Sequence, residues 1–290
     1  MIKHSFIFFT LCFITANLTA HEVNNNSNEE IHSKIERPMV VIIPSYNNKN
    51  WYQKNLDSIV NQNYTNFTIL YVDDCSTDGT GKLVETYIKE RKLDHKIKLI
   101  KNDIHRGACA NWYYAIHSCQ DHHIIINVDG DDWLLHENVL NIVNEAYADS
   151  NVWLTYGDLV FCPDSGKEAS PCRDVPSRVI HSNSFREFEW FSSHLRTFYA
   201  WLFKQIRLED LLYQGNFFPM SCDQAIMFPM IEMCGERIKF IKEKLYVYNR
   251  ANPIGDGHVN NYLCAHLGHY VRHNMPKYKR LAGPILSAKK

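Results

Sequence analysis

The sequence predicts an α/β fold, a mostly parallel sheet flanked by helices, followed by a helical C-terminal segment. Two observations carry this reading. Between residues 38 and 129, short apolar runs alternate four times with segments of helical spacing, the βαβ pattern whose right-handed crossovers build a parallel sheet. Three of those runs end directly in polar clusters: Pro44-Ser45-Tyr46-Asn47-Asn48, Asp73 to Thr80, and Asp129-Gly130-Asp131-Asp132. Ligands of open α/β sheets bind beyond the carboxyl ends of the strands. The three clusters are therefore expected on one rim.

The elements follow in order. Met39 to Ile43 is continuous and apolar, a strand buried on both faces that Pro44 ends. Residues 51–62 place Trp51, Tyr52, Leu56, Ile59 and Val60 at helical spacing. Phe67 to Val72 is the second strand, and Gly79 to Arg91 is a helix that Thr77 or Asp78 can cap. Ile97 to Ile100 is the third strand, 108–118 a helix, and Ile124 to Val128 the fourth strand. After residue 150 the pattern loosens. Val152 to Tyr156 suits a strand, 162–184 a polar loop, and Phe185 to Phe191 and Phe198 to Leu212 aromatic-rich helices. Residues 222–234 read as a helix with Ser221 as N-cap. Ile238 to Tyr248 reads as one long strand or a strand pair, and 260–273 as an amphipathic stretch.

Charge narrows the partners. With 31 basic and 32 acidic residues the formal net charge is -1, so no chain-wide field draws in nucleic acid or anionic lipid. Nucleic acid is not an expected partner. Lys3, the apolar run Phe6 to Ile14 and the small Ala20 make residues 1–20 a secretory signal peptide or a short anchor. Residues 21–37 form a polar, Asn-rich linker. A secretory-pathway lumen or a membrane-associated location follows, with contact through the N-terminus; the cytoplasm is the alternative. No CxxC pair is present, and Cys162 and Cys172, flanking a polar loop, can bridge in an oxidising compartment.

Asp129, Asp131 and Asp132 lie within four residues, and their charges repel unless a cation neutralises them. Oxygen ligands of this kind suit Mg2+ or Mn2+, ions that sit between carboxylates and substrate phosphates. An isolated DGDD is more simply a solvated turn before a helix. The shared rim with Asp73 and Asp74 favours a site. Those two suit a second metal or hydrogen bonds to a nucleoside. Tyr46 can stack on a base or pack under its own helix.

The stretches VVIIPSYNN, LYVDDCSTDGT and INVDGDDWL, in that order, resemble the N-terminal half of the family 2 glycosyltransferases, which have the GT-A fold. The resemblance covers about residues 38–250. It implies that Pro44, Ser45, Tyr46, Asn47, Asp73 and Asp74 hold the nucleotide, usually uridine. It places Asp129 and Asp131 near the ribose, and Asp131 or Asp132 on a divalent metal, Mn2+ or Mg2+. DIHRGACANWYYAI resembles the family's NxGxxxARNxG segment, with Gly107 and Asn111 retained. Ala110 stands where that segment has Arg, which leaves Arg106 as the diphosphate candidate. SCDQAIMFPMIE resembles the ED helix that carries the family's base, here Asp223, with Cys222 in place of Glu. A helix N-terminus favours a negative charge at that point. His258 in GDGHVN is a further metal candidate.

The implied reaction is inverting transfer of a glycosyl group from a nucleoside diphosphate sugar to an acceptor hydroxyl on a glycan, a lipid-linked substrate or a protein. The QxxRW sequence of processive members is missing, so one sugar per encounter is expected. The alternative is a non-catalytic nucleotide-sugar or glycan-binding protein on the same fold, which the retained carboxylates disfavour. A dinucleotide-binding dehydrogenase is disfavoured because no GxGxxG follows the first strand. The expected organisation is 1–20 leader, 21–37 linker, 38–250 GT-A domain and 251–290 helical tail.

Overall fold

The structure is a computed structural model that describes residues 35–163, 170–255 and 259–286. The leader 1–20, nearly all of the linker and His258 lie outside the described residues. No helix among the described residues is long and apolar enough to cross a membrane.

The strands are β1 (Met39–Ser45), β2 (Phe67–Asp73), β3 (Ile97–Lys101), β4 (Ile124–Asn127), β5 (Trp133–Leu134), β6 (Leu154–Cys162), β7 (Arg196–Tyr199), β8 (Leu212–Tyr213), β9 (Asn216–Phe217) and β10 (Ile238–Asn249). The helices are α1 (Tyr52–Val60), α2 (Thr80–Glu90), α3 (Ala108–His117), α4 (Val139–Ala146), α5 (Ser177–Ser182), α6 (Ala200–Phe203), α7 (Cys222–Cys234) and, last, α8 (Asn261–His273). The main sheet runs β3-β2-β1-β4-β7-β6-β10-β5. Its β3-β2-β1-β4 half is parallel, as the βαβ spacing predicts. β7 is antiparallel to both β4 and β6, whereas β10 is parallel to β6.

β1 is buried along its whole length, which its unbroken Val/Ile run allows. Its alternate residues serve two cores. Met39, Val41 and Ile43 pack with Leu56, Ile59 and Val84, while Val40 and Ile42 pack with Trp112, Ile116 and Phe198 on the other face. Pro44 is tolerated because the ladder with β4 stops at Ile42 and Asn127. The N–H that proline lacks falls beyond it. The Pro44 carbonyl instead accepts from Gly130 N at 3.2 Å, and the Ser45 carbonyl from Asp74 N at 2.8 Å. The last two residues of β1 thus join both acidic turns.

Several expectations need correction. Phe198 to Leu212 is not one helix. Arg196–Tyr199 is a strand, followed by the one-turn α6 and a 3-10 turn at Leu208–Leu211. The Thr197 and Phe198 side chains are buried, and their backbones fill the gap between β4 and β6. Pairing across the sheet overrides the helical spacing. Phe185 to Phe191 forms turns and extended chain, and the 162–184 loop contains α5. Ser221 does not cap α7; its hydroxyl donates to the Cys264 carbonyl at 2.8 Å instead. Ile238–Asn249 is one strand with two register irregularities. The eight described cysteines are free thiols, Cys162 and Cys172 among them.

α7 is apolar on every side and buried, as a helix enclosed by other elements must be. Its one deep charge is matched. Glu232 takes Arg186 Nε at 2.6 Å and Nη2 at 2.9 Å, and Arg186 Nη1 reaches the Val271 and Met275 carbonyls. This pair fastens the end of α8 to α7, so the helix that carries Asp223 is held from behind.

Candidate active site

The turn after β1 is braced by its own side chains. Asn47 takes a left-handed φ of 53°, which asparagine tolerates. Its Oδ1 accepts from Thr77 N at 2.8 Å, and its own N–H donates to Ser76 Oγ at 2.9 Å. Ser45 Oγ accepts from Tyr71 Oη and Asn48 Nδ2 at 2.8 and 3.0 Å. Tyr46 remains 37% exposed, its ring 4.2 Å from that of His105. Pro44, Ser45 and Asn47 build the rim, and Tyr46 faces outward from it.

Asp73 and Asp74 differ sharply. Asp74 accepts from Asn102 Nδ2 at 2.7 Å, Arg106 N at 2.9 Å and Gly107 N at 2.8 Å, and His105 Nδ1 stands 2.9 Å away. Burial would raise this carboxyl, but the donors outweigh it and hold it below the usual range. Asp73 points toward α2, where its Oδ1 is buried without a partner among the described residues. Burial pushes its carboxyl up. A Cβ on Gly81 would come within 2.3 Å of Asp73 Oδ2, so glycine there admits the carboxylate. Arg106 and Gly107 meet Asp74 through their backbone; the Arg106 guanidinium lies 5.7 Å from the Tyr114 ring.

The Asp129 to Asp132 turn is clasped from below. Asn55 Nδ2, on α1, donates to the Asp129 and Asp132 carbonyls at 2.9 and 2.7 Å. Gly130 is required by contact, because a Cβ there would lie 2.6 Å from Asn48 Nδ2 and 2.8 Å from Ser45 Oγ.

The three carboxylates then diverge. Asp131 turns to Asn252 Nδ2 at 2.7 Å. Burial, with the Asp129 charge nearby, pushes it up to about 6 against that bond. Asp132 accepts from Tyr246 Oη and Asn249 N, both at 2.7 Å. Burial and the Asp131 and Asp129 charges still raise it well above the ordinary range. Asp129 meets His194 Nε2 at 2.9 Å through Oδ2. Burial opposes its ionisation, but the His194 imidazole and the Arg196 charge hold it low. Burial and Arg196 lower His194, which favours the neutral, metal-ligating imidazole.

Asp129, Asp132 and His194 bring one ligand atom each within 4.8 Å of one another. Two carboxylates and an imidazole suit Mn2+, and the repulsion that raises Asp132 is what a cation relieves. The donor set fits a divalent ion. Of the sequence-predicted metal residues, Asp132 belongs to this group, Asp131 faces Asn252, and His258 is outside the described residues.

Asp223 opens α7, and its Oδ2 accepts from Arg196 Nη2 at 3.1 Å. It borders a cavity of about 400 Å³ shared with His194, Arg196, Tyr248 and Arg250. Sequence reasoning missed His194, Arg196, Tyr246, Asn249 and Asn252. The first two stand two residues apart, the spacing that puts side chains on one face of extended chain, but the aromatic run after them reads as helix.

A large, mainly parallel sheet flanked by helices, with acidic turns on one rim, is the GT-A arrangement. The sequence model of the family described as Glycosyl transferase family 2 matches residues 40–227, and the chain belongs to that family. Glycosyltransferase GlyA of Streptococcus pneumoniae is 32% identical over 100 residues, 34% of this chain and 14% of that protein. This chain spans 14% to 59% of the length of GlyA and two further relatives. TarS 1-349 of S. aureus, solved in complex with UDP-GlcNAc, superposes with a TM-score of 0.59 at 19% identity, covering 78% of this chain and 61% of that one. The mannosyltransferase PcManGT of Pyrobaculum calidifontis, solved with GDP-Man and Mn2+, gives 0.50 at 21% identity over 77% and 59%. At these identities the two structures establish the fold.

Proposed function

We propose that the chain is an inverting glycosyltransferase that moves a sugar from a nucleoside diphosphate donor, UDP first, to an acceptor hydroxyl. The observation that carries this is the 194–196 stretch, which joins Asp129 at the donor rim to Asp223 at the cavity. The nucleoside lies over Tyr46 and the Asp74 turn. Asp129, Asp132 and His194 would hold the divalent ion, which supplies charge stabilisation to the departing diphosphate. Asp223 Oδ1 or Oδ2 accepts the proton of the acceptor hydroxyl as that oxygen attacks the anomeric carbon, and an α-linked donor yields a β-linked product. Arg196 orients Asp223 without competing for the proton, since a guanidinium only donates. The segment 38–250 is the transferase domain, and transfer is one sugar per encounter.

Calorimetric titration of UDP and GDP with and without Mn2+, beside hydrolysis of a panel of UDP- and GDP-sugars, tests this reading. Metal-dependent nucleotide binding with hydrolysis of at least one donor is expected. Binding with no turnover of any donor, even with acceptor mixtures supplied, would instead establish a sugar-nucleotide-binding protein. No nucleotide binding at all would end the proposal.

A further inference from the structure

The cavity beside Asp223 is lined by two arginines, Arg196 and Arg250, and by His194, which also reaches Asp129 of the donor turn. Its lining comes from β6 (Phe161), β10 and the residue after it (Tyr248, Arg250), the 194–196 stretch and Asp223. No lining residue comes from the turns at 44–48, 73–80, 102–107 or 129–132.

Arg196 is only 2% exposed. Its Nη2 goes to Asp223, while its Nη1 has no acceptor among the described residues. A buried guanidinium nitrogen without an acceptor is costly and calls for an explanation. Arg250 brings a second guanidinium, 3.5 Å above the Phe161 ring. Phe161 and Tyr248, edge to face at 6.0 Å, form an apolar wall, the surface on which a polyol or sugar carbon face packs.

We propose that this cavity binds an acceptor carrying an oxyanion, phosphate or carboxylate, held by Arg196 and Arg250 while its hydroxyl reaches Asp223. This rests on the glycosyl-transfer reading. Two forked cations match an oxyanion in both charge and geometry, whereas a neutral sugar offers hydroxyl acceptors but no opposing charge.

The test uses the full chain, saturated with UDP and Mn2+ after the UDP affinity has been measured. Glycerol 1-phosphate, glucuronate and glucose are titrated calorimetrically into wild type, R250Q and R250K. One anionic probe should bind at least about tenfold more tightly than glucose, and the tighter of the two names the acceptor's charged group. R250Q should weaken that probe about tenfold or more and keep UDP affinity within about twofold; R250K should recover part of the loss. Equal binding of all three probes, or binding of none, overturns the proposal. So does an R250Q that weakens UDP as much as the probe, since the guanidiniums then serve the donor diphosphate. If wild type fails to bind UDP, the transferase reading falls, and the same titrations into the nucleotide-free chain still decide the anion preference.

Discussion

His194 Nε2 stands 2.9 Å from Asp129 Oδ2, its ring stacked on Tyr246 with 4.5 Å between centroids and 8° between planes. The imidazole is thus fixed before any ligand arrives, which lowers the cost of ordering a metal site. His194→Ala should weaken Mn2+-dependent UDP binding by about 10–100-fold and change metal-free binding little. Calorimetry in Mn2+ and in chelator measures both. His258→Ala, run in parallel, decides between the two histidines: a loss confined to the His258 variant would remove His194 from the metal group.

Asp223→Asn keeps the shape of the side chain and an acceptor for Arg196 while removing the base. Transfer should fall about 10²–10⁴-fold, with the UDP dissociation constant held within about twofold of wild type, since only the base function is lost. A UDP-release assay beside calorimetry separates the two effects. Near-full turnover by the variant would reassign the base.

The raised Asp131 carboxyl gives a pH signature. Its folded value of about 6 lies above the ordinary 3.8, so the proton favours the folded state. The group costs nothing below pH ~4, where it is neutral folded or unfolded, and it destabilises progressively as pH rises through 6. In metal-free buffer, Asp131→Asn should therefore gain on wild type between pH 4.5 and 7.5, by on the order of 1–3 kcal/mol. Thermal melts across that range measure the difference. A gap that narrows with pH would contradict the assignment.

Gly130→Ala places a methyl where Asn48 and Ser45 already sit. Overpacking of this kind costs about 1–3 kcal/mol and should loosen the turn that presents Asp129 and Asp132. Urea unfolding should show a lower midpoint at unchanged slope, and metal-dependent UDP binding should weaken with it. A variant of wild-type stability would mean that the β1 turn yields freely.

The shared rim of the three polar clusters was legible because its determinants are local. Each cluster follows its own strand, and the parallel topology brings Ser45, Asp74 and Gly130 together without long-range information. Partners supplied by distant segments were not legible. Nothing in the DGDD spacing says that Tyr246 and Asn249 will occupy Asp132, or that Asn252 will take Asp131. The reading failed most plainly at Phe198 to Leu212, where aromatic residues at helical spacing hid the strand that carries Arg196. Local periodicity does not encode a register set by two flanking strands.

β7 also limits how the two halves of the protein can be recombined. Its backbone pairs with β4 through Asn127 and Arg196, while Leu195 O accepts from Gly157 N of β6. A chimera that splices the front of one relative onto the back of another must choose on which side of residue 194 to cut. A cut before it imports both His194 and Arg196, and with them a foreign contact to Asp129. A cut after Arg196 keeps the pair native but hands it a foreign helix in place of the one that carries Asp223. A recombinant that keeps both contacts must therefore take residues 129, 194, 196 and 223 from a single parent.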